Sequence, residues 1–406
     1  MTEDKLNICI SEEYAKVLGD LKSLSYQIES GMSISNKFIS NSILRGLNKK
    51  DITYKLITLN GKINPYKLLT IYLISFLIFK NSNSFQACSL SSLAKLSRAF
   101  ELPGISNCDI IFILHGYDLL KYFHAINSIK VRGRPIVVLE IPDNIIETSG
   151  YLAHRRYCVN NLENILRSYA KVVDIIISPT LRDSIYYSNV LNVPNVFTIY
   201  NVYDVFPEHF TDEYILGRKN RGSMCISTGY WCNESITGYW CNGSIIKFIN
   251  NIIRLLNIYD KINIADIHIL GYRKMPQYNM GSINVYFHGK LPLKDYLDVL
   301  SRCVVTILYP RLPWSGGYSV RLNDAALMGN ILLGSDYDLR GEPYKYQYTY
   351  IDERDLVVKL QWLMDSTNLI SLGMENRKIA LERAKNNEET LNRLVDTLLS
   401  SVNNTD

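Results

Sequence analysis

Residues 309–336 read Tyr-Pro-Arg-Leu-Pro-Trp-Ser-Gly-Gly-Tyr-Ser-Val-Arg-Leu-Asn-Asp-Ala-Ala-Leu-Met-Gly-Asn-Ile-Leu-Leu-Gly-Ser-Asp. An apolar strand ends at Tyr309, a glycine-rich loop follows, and a helix begins near Arg321. Backbone N–H groups at a helix start, together with the positive end of the helix dipole, favour a phosphate. Arg321 can add a charged hydrogen bond to a diphosphate, and Asp324, one turn later, can accept hydrogen bonds from a ribose diol. The stretch predicts a nucleotide site where a helix follows a strand.

The same alternation of short apolar runs and longer amphipathic stretches continues through all 406 residues. It is typical of parallel sheets covered by helices. Pro207 and the polar run Glu208–Arg221 interrupt the pattern near the middle. We therefore predict an α/β fold of two doubly wound, Rossmann-like domains that face a cleft. The predicted parts are an N-terminal domain over 1–206, a nucleotide-binding domain over 207–385, and a helix within 386–406 that can cross back to the first domain.

The hydrophobic periodicity also predicts individual elements. The predicted strands are Leu6–Ile10, Tyr54–Leu59, Asp109–Leu114, Ile136–Glu140, Asp174–Ser178, Val196–Tyr200, Met224–Ser227, Asp266–Leu270, Val285–Phe287, Val304–Tyr309 and Ile331–Gly334. The predicted helices are Ser35–Leu47, Asp118–Ile129, Asn161–Ala170, Leu181–Val190, Ser244–Leu256, Leu293–Leu300, Arg321–Leu327, Asp355–Met364 and Asn387–Leu399.

Composition narrows the class of protein. The chain is 47% hydrophobic and 20% charged, which is typical of globular proteins. A net charge of +5 without a dense cluster of lysine and arginine does not indicate a nucleic-acid-binding protein. The acidic residues 1–5 lack the pattern of a signal peptide, which predicts a cytoplasmic location.

The longest apolar run, Leu68–Phe79, has about a dozen residues and is too short to cross a membrane. Two interpretations stay open for it. It is either a buried helix or an interfacial helix that places Lys67 and Lys80 among lipid headgroups, which would make the protein peripheral at a membrane.

Eight cysteines occur without a Cys-x-x-Cys pair, so the sequence supports neither a zinc site nor a redox motif. Their even number leaves disulfides open. Several of them lie in or beside apolar strands, and we predict buried free thiols in a reducing compartment.

A nine-residue near-duplication follows the first strand of the second half: Ser227–Ser235 and Ile236–Ser244 each contain Thr-Gly-Tyr-Trp-Cys-Asn. It is either a duplicated surface loop without a role or an enlarged, aromatic-rich loop that overhangs the cleft.

The stretch at 309–336 resembles the donor-binding element of retaining GT-B glycosyltransferases of the GT4-like group. That element has a glycine-rich loop, a basic residue, a glutamate, an apolar helix and a Gly-x-Pro-Val-Val strand. Gly317-Tyr-Ser319, Arg321, Asp324 and Gly329–Leu333 stand at those places. Five further stretches resemble motifs of the group and occur in the expected order: Asp109-Ile-Ile-Phe-Ile-Leu-His115, Ala170–Ser178, Ile199-Tyr-Asn201, Ile269-Leu-Gly271 and Phe287-His-Gly-Lys-Leu291.

The resemblance implies transfer of a hexose-type sugar, with retention, from a nucleotide-diphosphate sugar to a glycan, lipid-linked or protein acceptor. It implies no cofactor and no metal. The residues it assigns to catalysis are His115, Arg321 and Asp324. Those assigned to the donor are Gly229, Gly271, Gly316, Gly317, Tyr318, Ser319, Val320, Arg321 and Asp324. The family's basic pair is missing, and Lys247 or Arg273 would have to substitute for it. Glu140 and Asp143, at or just after the end of a strand, are candidates for the acceptor side, and Asp143 is equally suited to cap a helix.

Two departures from the family pattern leave alternatives open. Gly316 stands where the group commonly has the first of two glutamates, and the duplication occupies the place of a basic pair that binds the diphosphate. A non-catalytic nucleotide-sugar-binding protein and a sugar-nucleotide epimerase on the same scaffold remain alternatives. Asp336-Tyr-Asp338 formally matches the Asp-x-Asp metal site of the other large glycosyltransferase fold, but its position late in the chain does not fit that fold.

Overall fold

The computed structural model of the chain describes residues 6–11, 42–59, 62–63, 66, 98, 100–114, 116–130, 135–140, 167, 170–200, 210–228, 238–258, 263–289, 291–309, 320–335, 339 and 344–403. These residues form two large β-sheets with helices packed on them. They also form a small antiparallel pair, β3 (Lys62–Ile63) with β4 (Phe100–Glu101).

The first sheet is entirely parallel. Its six strands are β1 (Leu6–Ser11), β2 (Tyr54–Leu59), β5 (Ile110–Leu114), β6 (Ile136–Glu140), β7 (Ile175–Ser178) and β8 (Asn195–Thr198). They lie in the order β2-β1-β5-β6-β7-β8. Strands β6 and β7 are buried throughout, as expected where helices cover both faces of a parallel sheet. The predicted strands of the first half are confirmed.

The second sheet has seven strands: β9 (Ser223–Ser227), β10 (Asp266–Leu270), β11 (Met275–Met280), β12 (Ile283–Gly289), β13 (Val305–Leu308), β14 (Ile331–Gly334) and β15 (Gln347–Thr349). Their order is β11-β12-β10-β9-β13-β14-β15, and only the edge strand β11 is antiparallel to its neighbour. Without β11 this is the doubly wound order of dinucleotide-binding sheets. Both β11 and β15 were missed by the sequence prediction because these edge strands lack a continuous apolar run.

The described helices are α1 (residues 42–49), α2 (Gly116–Lys130), α3 (Leu181–Asn189), α4 (Asp212–Arg218), α5 (Gly238–Ile258), α6 (Leu293–Arg302), α7 (Val320–Leu327), α8 (Glu353–Met364) and α9 (Leu369–Asn403). Helix α5 begins six residues before its predicted start at Ser244. The interpretation of the second repeat copy as a loop is therefore wrong for residues 238–244, while residues 229–237 lie outside the described residues.

Helix α9 is a single helix of 35 residues, so its predicted start at Asn387 is wrong. Ala380 and Ala384 belong to a core with residues of α6, α7 and the second sheet. Leu394 and Val395, further along the helix, belong to the core under β1 and β5 of the first sheet. One helix therefore contributes to the cores of both sheets.

Two disulfide bonds, Cys9–Cys108 and Cys225–Cys303, occupy equivalent places in the two sheets. Each joins a central strand, β1 or β9, to the residue two positions before the strand beside it, β5 or β13. The Cα atoms are 5.8 and 5.9 Å apart, a normal disulfide separation. The prediction of free thiols is wrong for these four cysteines, because their meeting depends on strand order rather than on spacing along the chain.

Removing the second disulfide is expected to destabilise the protein. The bond closes a loop with a sequence separation of 78 residues. Loop-closure entropy assigns such a bond about 4.5 kcal/mol as an upper value. We expect the double variant Cys225→Ala/Cys303→Ala to lose about 2–4 kcal/mol in urea unfolding under non-reducing conditions. Equal stability of this variant and the oxidised wild type would contradict the claim that this disulfide stabilises the folded protein.

His268 and His288 form a hydrogen-bonded pair on β10 and β12, with Nδ1 and Nε2 2.9 Å apart. Burial lowers the pKa of His268 to about 4, with a further contribution from His288 and opposition from Asp266. Burial also lowers the pKa of His288, assisted by the positive charges of Arg302 and Lys274. Both imidazoles are therefore neutral at pH 7.

Because both histidines are neutral in the folded protein, we expect the protein to lose stability in acid. Between the ordinary value of 6.5 and about 4, the unfolded chain binds a proton at position 268 that the folded protein does not bind. The free energy of unfolding therefore falls as the pH is lowered through this window, by at most roughly 3 kcal/mol. We expect His268→Gln to lose less stability than wild type between pH 7 and 4.5 in thermal unfolding. Parallel pH profiles for the two proteins would refute this origin.

Candidate functional site

The centre of the second sheet is a topological switch point. Strands β9 and β13 are neighbours, with β10 and β12 beyond β9, and β14 and β15 beyond β13. Doubly wound sheets bind ligands at the carboxyl ends of the strands that flank such a point. Ser227 ends β9 and Leu308 ends β13. Residues 310–319 lie outside the described residues, and α7 begins directly after them.

Arg321 connects the first turn of α7 to the switch point through a hydrogen bond. Its side chain is buried, with 7% of the residue exposed, and Nη1 donates a hydrogen bond to the carbonyl oxygen of Ser227. The first turn of α7 is thereby fixed against the carboxyl end of β9. The predicted phosphate-binding arginine thus lies at the switch point with one of its donors bonded to the protein.

Asp324 lies one turn further along α7 and is 6% exposed. Its Oδ1 atom is buried and accepts no hydrogen bond from the residues that the structure describes. Burial raises the pKa of this carboxyl group from 3.8 to about 8, although Arg321 acts in the opposite direction. A buried carboxyl group with an unused acceptor gains free energy from a ligand that supplies hydrogen-bond donors.

Tyr296 on α6 completes the arrangement and was missed by the sequence analysis. Its hydroxyl group is buried, and burial followed by the charge of Asp324 raises its pKa, while the Ser227 side chain and the charge of Arg321 act to lower it. The run Leu293–Arg302 has the pattern of an ordinary amphipathic helix. The only sequence signal for a site residue in this run was a tyrosine on the side of the helix that faces the core. We call Ser227, Tyr296, Arg321 and Asp324 the switch-point cluster.

The predicted glycine turns are present. Gly271, after β10, and Gly289, at the end of β12, have φ values of 82° and 72°, where a side chain would be strained. The N–H group of Gly271 donates to the carbonyl oxygen of Gly289 at 3.3 Å. These turns bring the ends of two neighbouring strands together on the β9 side of the switch point.

The two predicted basic donor residues are exposed. Lys247 is exposed on α5, and Arg273 is exposed with its guanidinium carbon 5.7 Å from the centroid of the Tyr272 ring. Among the described contacts, neither makes a hydrogen bond or an ion pair to the switch-point cluster. Glu140 is buried at the end of β6, in the first sheet.

The remaining predicted site residues lie outside the described residues: His115, Asp143, Gly229, Gly316, Gly317, Tyr318 and Ser319. Val320 contributes the first residue of α7. Asp336, Asp338 and the apolar run Leu68–Phe79 are also outside. Within the described ranges, no group of three or more histidine, cysteine or acidic side chains is arranged to hold a metal ion. No helix in those ranges combines the length and apolar character needed to cross a membrane.

Comparison with known proteins identifies the fold. No family model matches the sequence, and no curated protein matches it significantly. The N-terminal domain of trehalose-6-phosphate phosphatase from Candida albicans is 11% identical, with a TM-score of 0.50 over 99% of this chain and 97% of that one. The chain has a GT-B fold.

Two further solved structures are similar at a lower level. The glycotransferase of kitacinnamycin is 9% identical with a TM-score of 0.45, and Medicago truncatula UGT71G1, solved in complex with UDP-glucose, is 9% identical with a TM-score of 0.46. Both alignments cover 98% of this chain and 99% of the other.

Proposed function

We propose that the protein is a retaining, GT4-like glycosyltransferase. It moves a hexose-type sugar from a nucleotide-diphosphate sugar to a hydroxyl group of a glycan, lipid-linked or protein acceptor. The observation that supports this most strongly is the buried Asp324 carboxyl group, whose Oδ1 atom lacks a hydrogen-bond partner among the described residues at the switch point of a doubly wound sheet.

The switch-point cluster suits a nucleotide. The ionised carboxylate of Asp324 accepts hydrogen bonds from the two hydroxyl groups of a ribose, and these bonds offset the burial of its charge. The start of α7 offers backbone N–H groups and the positive end of its dipole to a diphosphate. Arg321 adds a positive charge beside that helix start, in surroundings from which water is largely excluded.

The proposed chemistry needs positioning more than reactive side chains. The bond between the anomeric carbon and the diphosphate oxygen breaks, and a bond to the acceptor oxygen forms on the same face of the sugar. A diphosphate oxygen takes the acceptor proton, so atoms and charge balance without a protein base. The α7 start and Arg321 stabilise the negative charge on the leaving diphosphate. His115 would contact the transferred sugar, and Glu140 or Asp143 would orient the acceptor.

A thermal-shift screen tests the donor assignment. The ligands are UDP, GDP, ADP and their common sugar conjugates, each with Mg²⁺ or with EDTA. We expect one nucleotide family to raise the melting temperature equally under both conditions. Stabilisation that requires Mg²⁺ would contradict the metal-independent mechanism, and no stabilisation by any ligand would contradict the proposed function.

A further inference from the structure

Helix α9 holds the end of the first sheet through Asn387. The side-chain Nδ2 of Asn387 donates to the carbonyl oxygen of Tyr200 at 2.8 Å, and its Oδ1 accepts from the Tyr200 N–H group at 2.9 Å. Tyr200 lies just after β8. The amide side chain therefore hydrogen-bonds both the N–H and the carbonyl group of Tyr200, as a neighbouring strand would. Asn387 is itself buried.

One turn earlier on α9, Arg383 lies between two aromatic rings. Its guanidinium carbon is 4.9 Å from the centroid of Tyr200 and 4.4 Å from the centroid of Tyr344. Arg383 and Tyr344 are both buried. A planar cation stacked on aromatic faces away from water is a strong and geometrically demanding contact. The first ring follows the first sheet, whereas the second lies just before β15 of the second sheet.

Tyr344 continues the connection to α7. Its hydroxyl group donates to Oδ1 of Asn323 at 2.5 Å, and Asn323 is completely buried. Asn323 is the residue before Asp324 and lies two positions after Arg321. An uninterrupted series of contacts thus runs from Tyr200 through Arg383, Tyr344 and Asn323 to the switch-point cluster.

The packing of α7 against α9 leaves little freedom to absorb a displacement. Ala325 and Ala326 on α7 and Ala380 and Ala384 on α9 belong to one buried core. Closely packed elements move together rather than deform. A shift of Arg383 is therefore passed to α7.

We propose that Arg383 is a positioning residue that couples the end of the first sheet to the nucleotide site on α7. The inference rests on the proposed function, because it takes the switch-point cluster to be that site. Nucleotide bound at Asp324 and the Tyr200–Arg383–Asn387 contact stabilise each other. In a two-sheet enzyme, this links occupation of the donor site to the placement of the first sheet.

Affinity measurements on four variants test the coupling. The probe is whichever of UDP, GDP and ADP stabilises the wild type most, titrated by calorimetry. Arg383→Leu should weaken binding about tenfold, and Arg383→Lys, which keeps a cation between the rings, should recover most of it. Tyr344→Phe keeps both ring contacts but loses the bond to Asn323 and should also weaken binding. Tyr346→Phe is the matched control and should bind as the wild type does.

Hydrogen exchange separates coupling from simple loss of stability. Coupling free energies are reciprocal, so the nucleotide should slow amide exchange in residues 383–391 of the wild type. Tyr344→Phe should lose that remote protection even at saturating nucleotide. Wild-type affinity in both Arg383→Leu and Tyr344→Phe, or remote protection that persists in Tyr344→Phe, would overturn the proposal.

The two proposals fail in distinguishable ways. If the wild type binds none of the three nucleotides, the proposed function falls. The coupling is then decided by exchange of residues 320–327 without ligand. Faster exchange in Arg383→Leu that Arg383→Lys restores supports it, and equal exchange in all three proteins overturns it.

Discussion

Asp324→Asn is expected to stabilise the folded protein and to abolish nucleotide binding. Burial raises the pKa of Asp324 from 3.8 to about 8. Between these values the folded protein holds a proton that the unfolded chain has released, so stability falls as the pH rises through this window. The loss reaches at most roughly 6 kcal/mol. Asparagine carries no charge at any of these pH values and avoids this loss, and we expect a net gain of about 2 kcal/mol at pH 8.

The same substitution should remove nucleotide binding because a carboxylate offers one oxygen to each hydroxyl group of a diol, whereas an amide replaces one of these oxygens with an NH2 group that can only donate. Urea unfolding at pH 5 and pH 8 and calorimetric titration with nucleotide measure the two effects. The wild type should also bind nucleotide more tightly as the pH rises towards 8, because binding favours the ionised carboxylate.

Asp298→Asn is the matched control, because the pKa of Asp298 is shifted in the opposite direction to that of Asp324. Burial acts to raise the pKa of Asp298, but hydrogen bonds from Tyr214 and Arg302 and the charge of Arg218 outweigh it, and the pKa is lowered. This carboxylate stabilises the folded protein at neutral pH, so its loss should destabilise the protein and leave nucleotide affinity unchanged. Destabilisation by both variants would contradict the buried-acid account of Asp324.

Gly373→Ala is expected to destabilise the protein by about 3 kcal/mol or more. Gly373 lies in the second turn of α9, where a Cβ atom would overlap the carbonyl oxygen of Gly329 in the turn after α7. Gly329 has a φ of 67°, which a side chain rarely adopts, so the backbone on that side cannot easily move away. Helices α7 and α9 would have to separate. Thermal and urea unfolding measure the loss.

Gly217→Ala provides the control for Gly373→Ala. Gly217 lies within α4, and a Cβ atom there would meet no heavy atom within 4 Å. Alanine in a helix is favoured over glycine, so this variant should gain about 0.5–1 kcal/mol. Similar effects of the two alanines would show that the close approach of α7 and α9 does not limit stability.

Local patterns predicted the parts of the fold that depend on local sequence. Buried parallel strands such as β6 and β7 are almost entirely apolar in sequence, and the glycine-rich run before Val320 is typical of a helix start, so both were found. The edge strands β11 and β15 carry little apolar signal. The full length of α9 was missed because its first half packs on one sheet and its second half on the other, which obscures a single periodic face.

The candidate site likewise contains residues that the local sequence identified and residues that only the packing reveals. Arg321 and Asp324 are polar residues at fixed positions after a glycine-rich loop, and this local arrangement identified them. Tyr296 and Arg383 reach α7 from helices distant in sequence, so only the packing reveals them. The two disulfides likewise depend on which strands become neighbours. Burial of Asp324, and with it the raised pKa, was not predictable from a helix position alone.

The central claim is glycosyl transfer with retention, and proton NMR of a nucleotide sugar incubated with the wild type and a mixture of candidate acceptors tests it most directly. The account predicts release of the nucleoside diphosphate and a new glycosidic anomeric signal with the configuration of the donor. Conversion of the donor to an isomeric nucleotide sugar without diphosphate release would indicate an epimerase. An unchanged donor that nevertheless binds the protein would indicate a non-catalytic binding protein, and either result would contradict the claim.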